Sequence, residues 1–568
     1  MTIRNPILRG LNPDPSIVRV GDDYYIATST FEWFPGVQIH HSRDLANWDF
    51  VARPLTRASQ LDMRGNPDSC GIWAPDLSYA GGRFHLLYTD VKRYGRTTVN
   101  GDKGTSFRDF HNYWVWSDRI DGEWSDPVLL NSSGFDPALL HDDDGRSWVL
   151  NMLWDHRPGH QRFAGVLLQE MDLRTGQLIG ERKLVFKGTP LGFTEGPHLY
   201  KRNGWYHLLV AEGGTERNHA VVMARSRSLL GPYEVHPDGA VLTSKGKPGV
   251  ELARAGHGDL VETPSGETWM VYLCGRPLRG ADRCVLGRET AIQPMRWGDD
   301  DWLRTADGSG TPMLEIERQG VADTLRVPVD ERHEFDSPAL PGPFQWLRTP
   351  YPEQLFSLTD RPGYLRLVGR ESIGSRFTQS LVARRQQAFR YTAETLVEFS
   401  PWNFQQAAGL ICYYNGSKYH FLQIALADNG ERQVQLLSAI PGSEECGNVV
   451  QSAPAPPGAL ALRVDVHDET ARFAFRPAES EDWCWLRGSF DASILSDEVT
   501  RPGFPNFTGA FVGMACYDLS GAKMPADFAY FHYREYDSPE AQKSSSGLGE
   551  IEPDGGLPAT ALNTPARP

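Results

Sequence analysis

The sequence predicts an all-β protein in which a five-bladed β-propeller is followed by a β-sandwich. An acidic motif recurs five times in the first 300 residues, each copy precedes a short strand rich in aromatic residues, and no helical period is sustained. The acids recur at intervals of 59 to 64 residues: Asp14, Asp76, Asp136, Glu195 and Asp259. That regularity indicates repeated stacking of one supersecondary unit.

Each motif is followed by a strand that begins just after a turn signal such as Gly21-Asp22 or Asn203-Gly204. The predicted strands cover residues 23–27, 83–88, 147–150, 205–210 and 268–272. About 60 residues with roughly four short strands correspond to one propeller blade. A solenoid is the alternative, but its repeats usually span about 20–50 residues. Its terminal repeats should also resemble polar caps, whereas the first copy here resembles the third.

The repeat ends after Trp297, and the chain divides into three regions. Residues 1–320 are predicted to form the propeller and residues 321–537 the sandwich, of the concanavalin A-like or jelly-roll type, with 321–332 as its connector. In the second region strands recur without a 60-residue period. Residues 538–568 are rich in Pro, Gly, Ser and Ala, and we predict a disordered tail.

Composition excludes several kinds of partner. The net charge of −15 and the lack of a basic run argue against nucleic acid as a partner. The chain has no apolar stretch long enough to span a membrane, and its N-terminus does not resemble a signal peptide. Seven widely spaced cysteines without a CxxC pair favour a reducing compartment. We therefore predict a cytoplasmic protein.

The recurring acids indicate the chemistry. A propeller would bring the acids of all five motifs to one mouth. Glycoside hydrolysis needs two carboxyl groups on opposite sides of one bond, one protonated and one ionised. Burial and like charges can separate the pKa values of such a pair. Taken singly, each acid could be an ordinary turn residue. The prediction of glycoside hydrolysis therefore depends on the five acids together. Glu195 is the one Glu among four Asp, and its longer side chain suits a proton donor.

Four of the motifs resemble glycoside hydrolase family 43, and most closely its β-xylosidases with a C-terminal sandwich. They occupy residues 12–16, 73–76, 134–137 and 194–198, and the resemblance extends over residues 5–536. It implies a five-bladed propeller and hydrolysis with inversion. It also implies that Asp14 is the general base, Glu195 the general acid, and Asp136 the acid that tunes and positions Glu195. Asp76 and Asp259 would be structural acids around the mouth.

The resemblance extends to substrate-binding residues: Arg288, Trp73, Phe31, Thr215, His257 and Phe507. Phe507, or alternatively Phe504, would reach back from the sandwich and close the pocket. For each residue an ordinary structural role, such as core packing or a strand ion pair, is the alternative. His257 resembles a histidine that holds a calcium ion through water in some relatives. No other cofactor is implied.

A closed pocket admits only a chain end. The expected activity is exo-acting release of xylose from the non-reducing end of short β-1,4-xylooligosaccharides, by an enzyme that assembles as a homo-oligomer. The alternatives are an α-L-arabinofuranosidase, or a dual xylosidase and arabinofuranosidase. A non-catalytic sugar-binding protein is disfavoured because all three motif carboxylates are present. A fructan-cleaving propeller is disfavoured because its Asn-Asp-Pro motif is missing.

Overall fold

The structure is a computed structural model. It describes residues 2–94, 107–318, 328–440, 447–500 and 506–538, together with Gln542. The predicted tail therefore lies almost wholly outside the described residues, as do Phe504 and most of the predicted connector.

Five antiparallel sheets of four strands form the first half of the chain. In each sheet the first strand is innermost, and the others follow outward in chain order. We number these sheets blades I to V. Blade I contains Ser16–Val20, Asp23–Thr28, Gln38–Ser42 and Asp49–Ala52; blade II contains Gly71–Ala80, Arg83–Arg93, Asp109–Ser117 and Val128–Asn131; blade III contains Ala138–His141, Ser147–Trp154, Phe163–Asp172 and Gln177–Phe186; blade IV contains Glu195–Arg202, Trp205–Glu212, Ala220–Ser226 and Glu234–Thr243; blade V contains Ala253–Glu262, Thr268–Gly275, Glu289–Trp297 and Leu303–Thr305.

The blades close into a ring, because the innermost strand of blade I contacts those of both blade II and blade V. Two further contacts fasten the closure. Strand Thr2–Arg4 pairs with Glu315–Glu317, and the Asn5 amide donates hydrogen bonds to the carbonyls of Ile292 and Met313, both at 2.7 Å. The five-bladed propeller is confirmed, and the solenoid alternative is excluded.

Two facing sheets form the second half of the chain. Short 3-10 helices occur at Pro352–Gln354 and Ala492–Ile494. One sheet contains Asp330–His333, Phe356–Ser357, Leu365–Val368, Arg390–Glu398, Leu460–His467, Thr470–Pro477, Cys484–Trp485, Phe490–Asp491 and Pro525–Glu535; the other contains Phe344–Leu347, Ser380–Arg385, Gln406–Asn415, Lys418–Leu426, Arg432–Ala439, Asn448–Pro454, Phe511–Asp518 and, from the propeller, Trp33–Phe34. Alternate residues of both sheets, such as Leu410 and Phe473, fill one buried core.

The two-residue strand Trp33–Phe34 joins the propeller to the sandwich. It follows the first strands of blade I in the chain, yet it pairs with Phe344–Leu347 as an edge strand of a sandwich sheet. The Trp33 ring stacks on Phe511 with the ring centres 3.8 Å apart. Through this shared strand, the sandwich packs against the mouth of the propeller beside Phe31.

Three further features of the described residues concern the connector, the cysteines and the helices. The last residues of the predicted connector, from Asp330, already form a sandwich strand. Six cysteines are described, and all of them are free thiols. Within the described ranges, no helix has the length and hydropathy of a membrane-spanning segment.

Candidate active site

The innermost strands, together with the residues just before them in blades I and III, present two successive layers of residues to the propeller axis. In the first layer, each residue stands directly before a proline or glycine: Asp14, Ala74, Asp136, Gly196 and His257. Four of these five have positive φ values of 55°, 54°, 54° and 49° (Asp14, Asp136, Gly196 and His257). Left-handed backbone is costly for residues other than glycine, and it clusters at functional sites where the surrounding fold enforces it.

The second layer lies two residues further along each strand and consists of Ser16, Asp76, Ala138, His198 and Asp259. Bulges between the first two strands of blades II, IV and V adjust the register there. The five recurring acids are therefore not equivalent, in contrast to the single ring that their spacing suggested. Asp14 and Asp136 belong to the first layer, Asp76 and Asp259 to the second, and Glu195 directly precedes a first-layer glycine.

Asp14 is buried and accepts hydrogen bonds at both carboxylate oxygens. Ser29 Oγ donates to its Oδ2 at 2.7 Å, and Arg288 Nη1 donates to its Oδ1 at 2.9 Å. The ring of His257 lies beside the same oxygen, with Nδ1 3.6 Å away. A hydroxyl and a guanidinium therefore both donate to this carboxylate, and the bond from the guanidinium is charge-assisted.

Asp136 and Glu195 are buried beside each other and beside Asp14. Burial and then the charge of Asp14 raise the pKa of Asp136 to about 8. Burial, followed by the charges of Asp136 and Asp14, raises the pKa of Glu195 well above its usual value. Asp136 Oδ2 also accepts a 2.9 Å hydrogen bond from the backbone N–H of Gly196. The site therefore keeps a proton on this pair at neutral pH.

Arg288 links Asp14 to the sandwich. While Nη1 binds Asp14, Nη2 donates to the backbone carbonyl of Phe507 at 2.9 Å. The guanidinium carbon lies 5.2 Å from the centre of the Phe31 ring. Its Nε is buried without a hydrogen-bond partner among the described residues. Such a donor is available for a hydroxyl of a bound molecule.

Aromatic rings surround the carboxyl groups. Trp73 contacts Phe507 edge-to-face at 5.7 Å between ring centres, and it contacts Tyr94 at 5.5 Å and Phe31 at 6.3 Å. Trp73 Nε1 donates to the carbonyl of Ser69 at 3.0 Å, while the N–H of Phe507 donates to Ser69 Oγ at 3.0 Å. Ser69 therefore holds the Trp73 ring and the backbone of Phe507. The sandwich loop that carries Phe507 thus reaches the propeller mouth.

Two other predicted site residues, His257 and Thr215, differ in how closely they approach the three carboxyl groups. His257 packs against Gly196, and a methyl group added to Gly196 would lie 2.7 Å from Nε2 of the ring. Burial lowers the pKa of His257 to about 4, so its imidazole is neutral. Thr215 is half-buried in the loop after Trp205–Glu212. Among the described contacts none joins Thr215 to the three carboxyl groups, and its pocket role stays a prediction.

In the second layer an ion cluster is buried around His198. Its Nδ1 lies 3.3 Å from Asp76 Oδ1 and 3.8 Å from Asp259 Oδ1. Burial would lower the pKa of His198, but the charges of Asp259 and Asp76 outweigh it and raise the pKa to about 9. A histidine that is charged at neutral pH thus neutralises part of the acidic axis.

We tested whether this cluster fits a calcium ion. One ligand atom each from Asp76, His198 and Asp259 lies within 4.8 Å of the others. However, Asp259 Oδ2 already accepts from Ser16 Oγ and Ile17 N, and Asp76 Oδ2 accepts from Leu139 N. Calcium takes about six to eight oxygen ligands, whereas here a protonated imidazole supplies the positive charge. The cluster fits a hydrogen-bonded ion network rather than a calcium site. His257 presents a neutral imidazole, the form that can hold a calcium-bound water.

Sequence reasoning missed four residues of the site: Ser29, Ser69, Tyr94 and Tyr414. Ser29 and Ser69 each bind a functional group through one hydroxyl, and a single serine in a loop carries no recognisable pattern. The hydroxyl of Tyr414 accepts from the N–H of Thr508 at 3.2 Å and donates to Asp497 at 2.5 Å. It thereby anchors the loop that carries Phe507 from inside the sandwich.

The chain matches two family models. Residues 3–303 match the model of glycosyl hydrolases family 43. Residues 332–534 match the model of the beta xylosidase C-terminal concanavalin A-like domain. Together the two matches cover the propeller and the sandwich.

Similar proteins align over nearly the whole chain. Xylosidase/arabinosidase 43B of Humicola insolens is 52% identical over 542 residues, which cover 94% of this chain and 98% of that protein. A beta-xylosidase of Bacillus subtilis is 46% identical over 546 residues, covering 94% of this chain and 100% of that protein. The crystal structure of a xylan beta-1,4-xylosidase from Bacillus halodurans C-125 superposes with a TM-score of 0.88 at 49% identity, covering 94% of this chain and 100% of that one.

Proposed function

The chain belongs to glycosyl hydrolases family 43, and we propose that it releases xylose from the non-reducing end of short β-1,4-xylooligosaccharides with inversion. The observation that carries this proposal is the buried group of Asp14, Asp136 and Glu195. Asp14 accepts hydrogen bonds from a cation and a hydroxyl, while burial and neighbouring charges raise the pKa values of Asp136 and Glu195. An inverting glycosidase needs one carboxylate as the base and one protonated carboxyl group as the acid.

Each carboxyl group has a distinct role in the proposed reaction. Asp14 removes a proton from a water molecule as that water attacks the anomeric carbon. Glu195 donates its proton to the glycosidic oxygen as the bond to the leaving sugar breaks. Burial raises the pKa of Glu195, and the charge of Asp136 raises it further. Arg288 orients Asp14, and its unpartnered Nε binds a hydroxyl of the sugar being released.

Exo action follows from the walls of the pocket. Phe507 comes from the sandwich and stands edge-to-face against Trp73 of blade II. Its backbone is bound on both sides, by Ser69 and by Arg288. A wall fixed in this way supports the proposal that only a chain end enters the pocket.

A dual activity toward α-L-arabinofuranosides is the second candidate. The most similar relative described above carries both activities in its name, Xylosidase/arabinosidase 43B. Arabinofuranose and xylopyranose present similar hydroxyl groups to one pocket. Rates on the 4-nitrophenyl glycosides of the two sugars, measured with the same enzyme preparation, give the balance.

The configuration of the first product tests the central proposal. Proton NMR of a xylobiose digest, recorded before mutarotation, is expected to show α-xylose as the newly formed anomer. β-Xylose as the first product would contradict the roles given to Asp14 and Glu195. An enzyme that cleaves both 4-nitrophenyl β-D-xylopyranoside and 4-nitrophenyl α-L-arabinofuranoside would establish the second candidate.

Three further features belong to the proposal. We place the enzyme in the cytoplasm, in keeping with six free thiols among the described cysteines, so that its substrates arrive as imported short oligosaccharides. We expect a homo-oligomer, which light scattering after size-exclusion chromatography would measure. We expect no required cofactor and a structural calcium near His257, which calorimetric titration of the chelator-treated protein would detect.

A further inference from the structure

A pocket of about 270 Å³ lies between blades II and III, outside the ring of carboxyl groups. This size is near the lower end of ligand pockets, and it suits a group the size of one sugar. Its walls include Phe107, Arg108, Phe110, Trp154, His156 and Arg182. None of the residues that line it is acidic.

The pocket adjoins the active site through shared aromatic residues. Phe110 lines the pocket, and its ring centre lies 4.9 Å from that of Phe135, the neighbour of Asp136. Arg108 stacks on Tyr94 with 3.5 Å between the guanidinium carbon and the ring centre, and Tyr94 contacts Phe507 at 5.8 Å. Burial raises the pKa of Tyr94, and the nearby charge of Glu195 also raises it. The contacts through Tyr94 therefore lie on the side of the proposed proton donor.

Arg108 is a half-buried cation without a carboxylate counterion among the described residues. Its guanidinium lies between the rings of Tyr94 and Trp154, 3.5 and 4.1 Å from their centres. No carboxylate in the described part of the chain lies within ion-pair distance, and Nε is buried without a hydrogen-bond partner. Burying an unpaired charge costs free energy. In a chain of net charge −15, an uncompensated cation indicates a site for an anion.

Arg182 adds a second free cation to the same pocket. It is exposed on the outer strand of blade III, and none of the described ion pairs includes it. The nearest acid in the loop of His156 is Asp155, but Arg157 engages that carboxylate at 2.5 Å. The pocket therefore offers two guanidinium groups to a ligand.

The mouth of the pocket also offers a flat apolar surface. Phe107 is 51% exposed, and its ring stacks on His156 with 4.5 Å between ring centres. Exposed aromatic faces bind the apolar faces of sugar rings, and guanidinium groups bind carboxylates in paired hydrogen bonds. The two features together fit a sugar that carries a carboxylate.

We propose that this pocket binds the carboxylate of a uronic-acid branch on the leaving part of a xylooligosaccharide. The inference rests on the proposed function, because the leaving part extends from the side of the bond on which Glu195 stands. The enzyme would accordingly process acidic xylooligosaccharides in preference to neutral ones of equal length.

The test compares kcat/KM for xylotriose with kcat/KM for xylotriose that carries a glucuronosyl branch on its middle unit. The wild-type ratio of acidic to neutral substrate is expected to exceed one and to fall as salt is added. Arg108→Met should lower the ratio by about tenfold or more, since a charge-assisted hydrogen bond contributes about 1.5–3 kcal/mol. Arg182→Gln should lower it about two- to fivefold, because that side chain is exposed.

Arg174→Gln is the matched control, because Arg174 is an exposed arginine of the same blade that pairs with Asp172. It should keep the wild-type ratio. A wild-type ratio of one or less, or a ratio that Arg182→Gln leaves unchanged, would overturn the inference even if Arg108→Met proves unstable. If neutral xylotriose is not cleaved at all, the proposed function fails. Calorimetric titration of folded wild type and Arg182→Gln with free glucuronate then tests the pocket by itself, and equal binding or none would overturn it.

Discussion

Arg288 Nη1 and Asp14 Oδ1 lie 2.9 Å apart, although 274 residues separate them in the chain. The contact joins the last blade to the first motif, and it exists only because the propeller closes. The same guanidinium binds the Phe507 carbonyl. One side chain therefore connects the proposed base, the ring closure and the sandwich loop.

Replacing the proposed general base, Asp14, or the proposed general acid, Glu195, should abolish most activity on xylobiose. Asp14→Ala and Glu195→Ala should each lower kcat by about 10²- to 10⁴-fold, the contribution of a positioned acid or base. A substrate with a good leaving group distinguishes them. On 2,4-dinitrophenyl β-xyloside, Glu195→Ala should recover much of its rate because departure needs no proton, while Asp14→Ala should not. If Glu195→Ala lost as much activity on the dinitrophenyl xyloside as on xylobiose, the assignment of Glu195 as the general acid would be contradicted.

Asp136→Asn should shift the alkaline limb of the pH–rate profile to lower pH. Glu195 acts only while protonated, so activity is lost as the pH rises through its pKa. The charge of Asp136 raises that pKa, and its removal should lower it. The measurement is kcat/KM for xylobiose between pH 5 and 10. An alkaline limb that stays in place, or moves to higher pH, would show that Asp136 does not tune Glu195.

Gly196→Ala should impair activity more than an alanine placed at another left-handed glycine position. Gly196 has φ 54°, and an added methyl group would meet the His257 ring at 2.7 Å. The backbone N–H of Gly196 also binds Asp136. Gly192→Ala is the control, because Gly192 has φ 73° and nothing within 4 Å of the added carbon. That control should cost only about 1–2 kcal/mol of stability and retain activity. Similar kinetics for both variants would refute the steric argument.

Tyr414→Phe should loosen the loop that carries Phe507. It removes the hydroxyl that accepts from Thr508 N–H and donates to Asp497, and leaving such groups unpaired costs about 1–3 kcal/mol. We expect a lower Tm and a several-fold higher KM for xylobiose.

Tyr413→Phe serves as the neighbouring control. The hydroxyl of Tyr413 has one described hydrogen bond, a 3.5 Å contact with Gln379. Its loss should change neither the Tm nor the KM appreciably. A rise in KM for Tyr413→Phe that equals the rise for Tyr414→Phe would show that the effect is not transmitted through the loop.

The sequence by itself determined the architecture and the set of candidate acids. Strand alternation, turn pairs such as Asn203-Gly204 and a period near 60 residues are local properties, and they suffice to predict the blades. The motif resemblance selected Asp14, Asp136, Glu195 and Arg288, which the structure brings together.

Only the tertiary structure decided how those residues are arranged. Whether an acid faces Asp14 or His198 depends on the strand register, and bulges in three blades set that register in a way that spacing does not reveal. The position of Phe507 and the shared strand Trp33–Phe34 depend on contacts between residues hundreds of positions apart. Because such contacts are made through space, no local pattern in the chain records them.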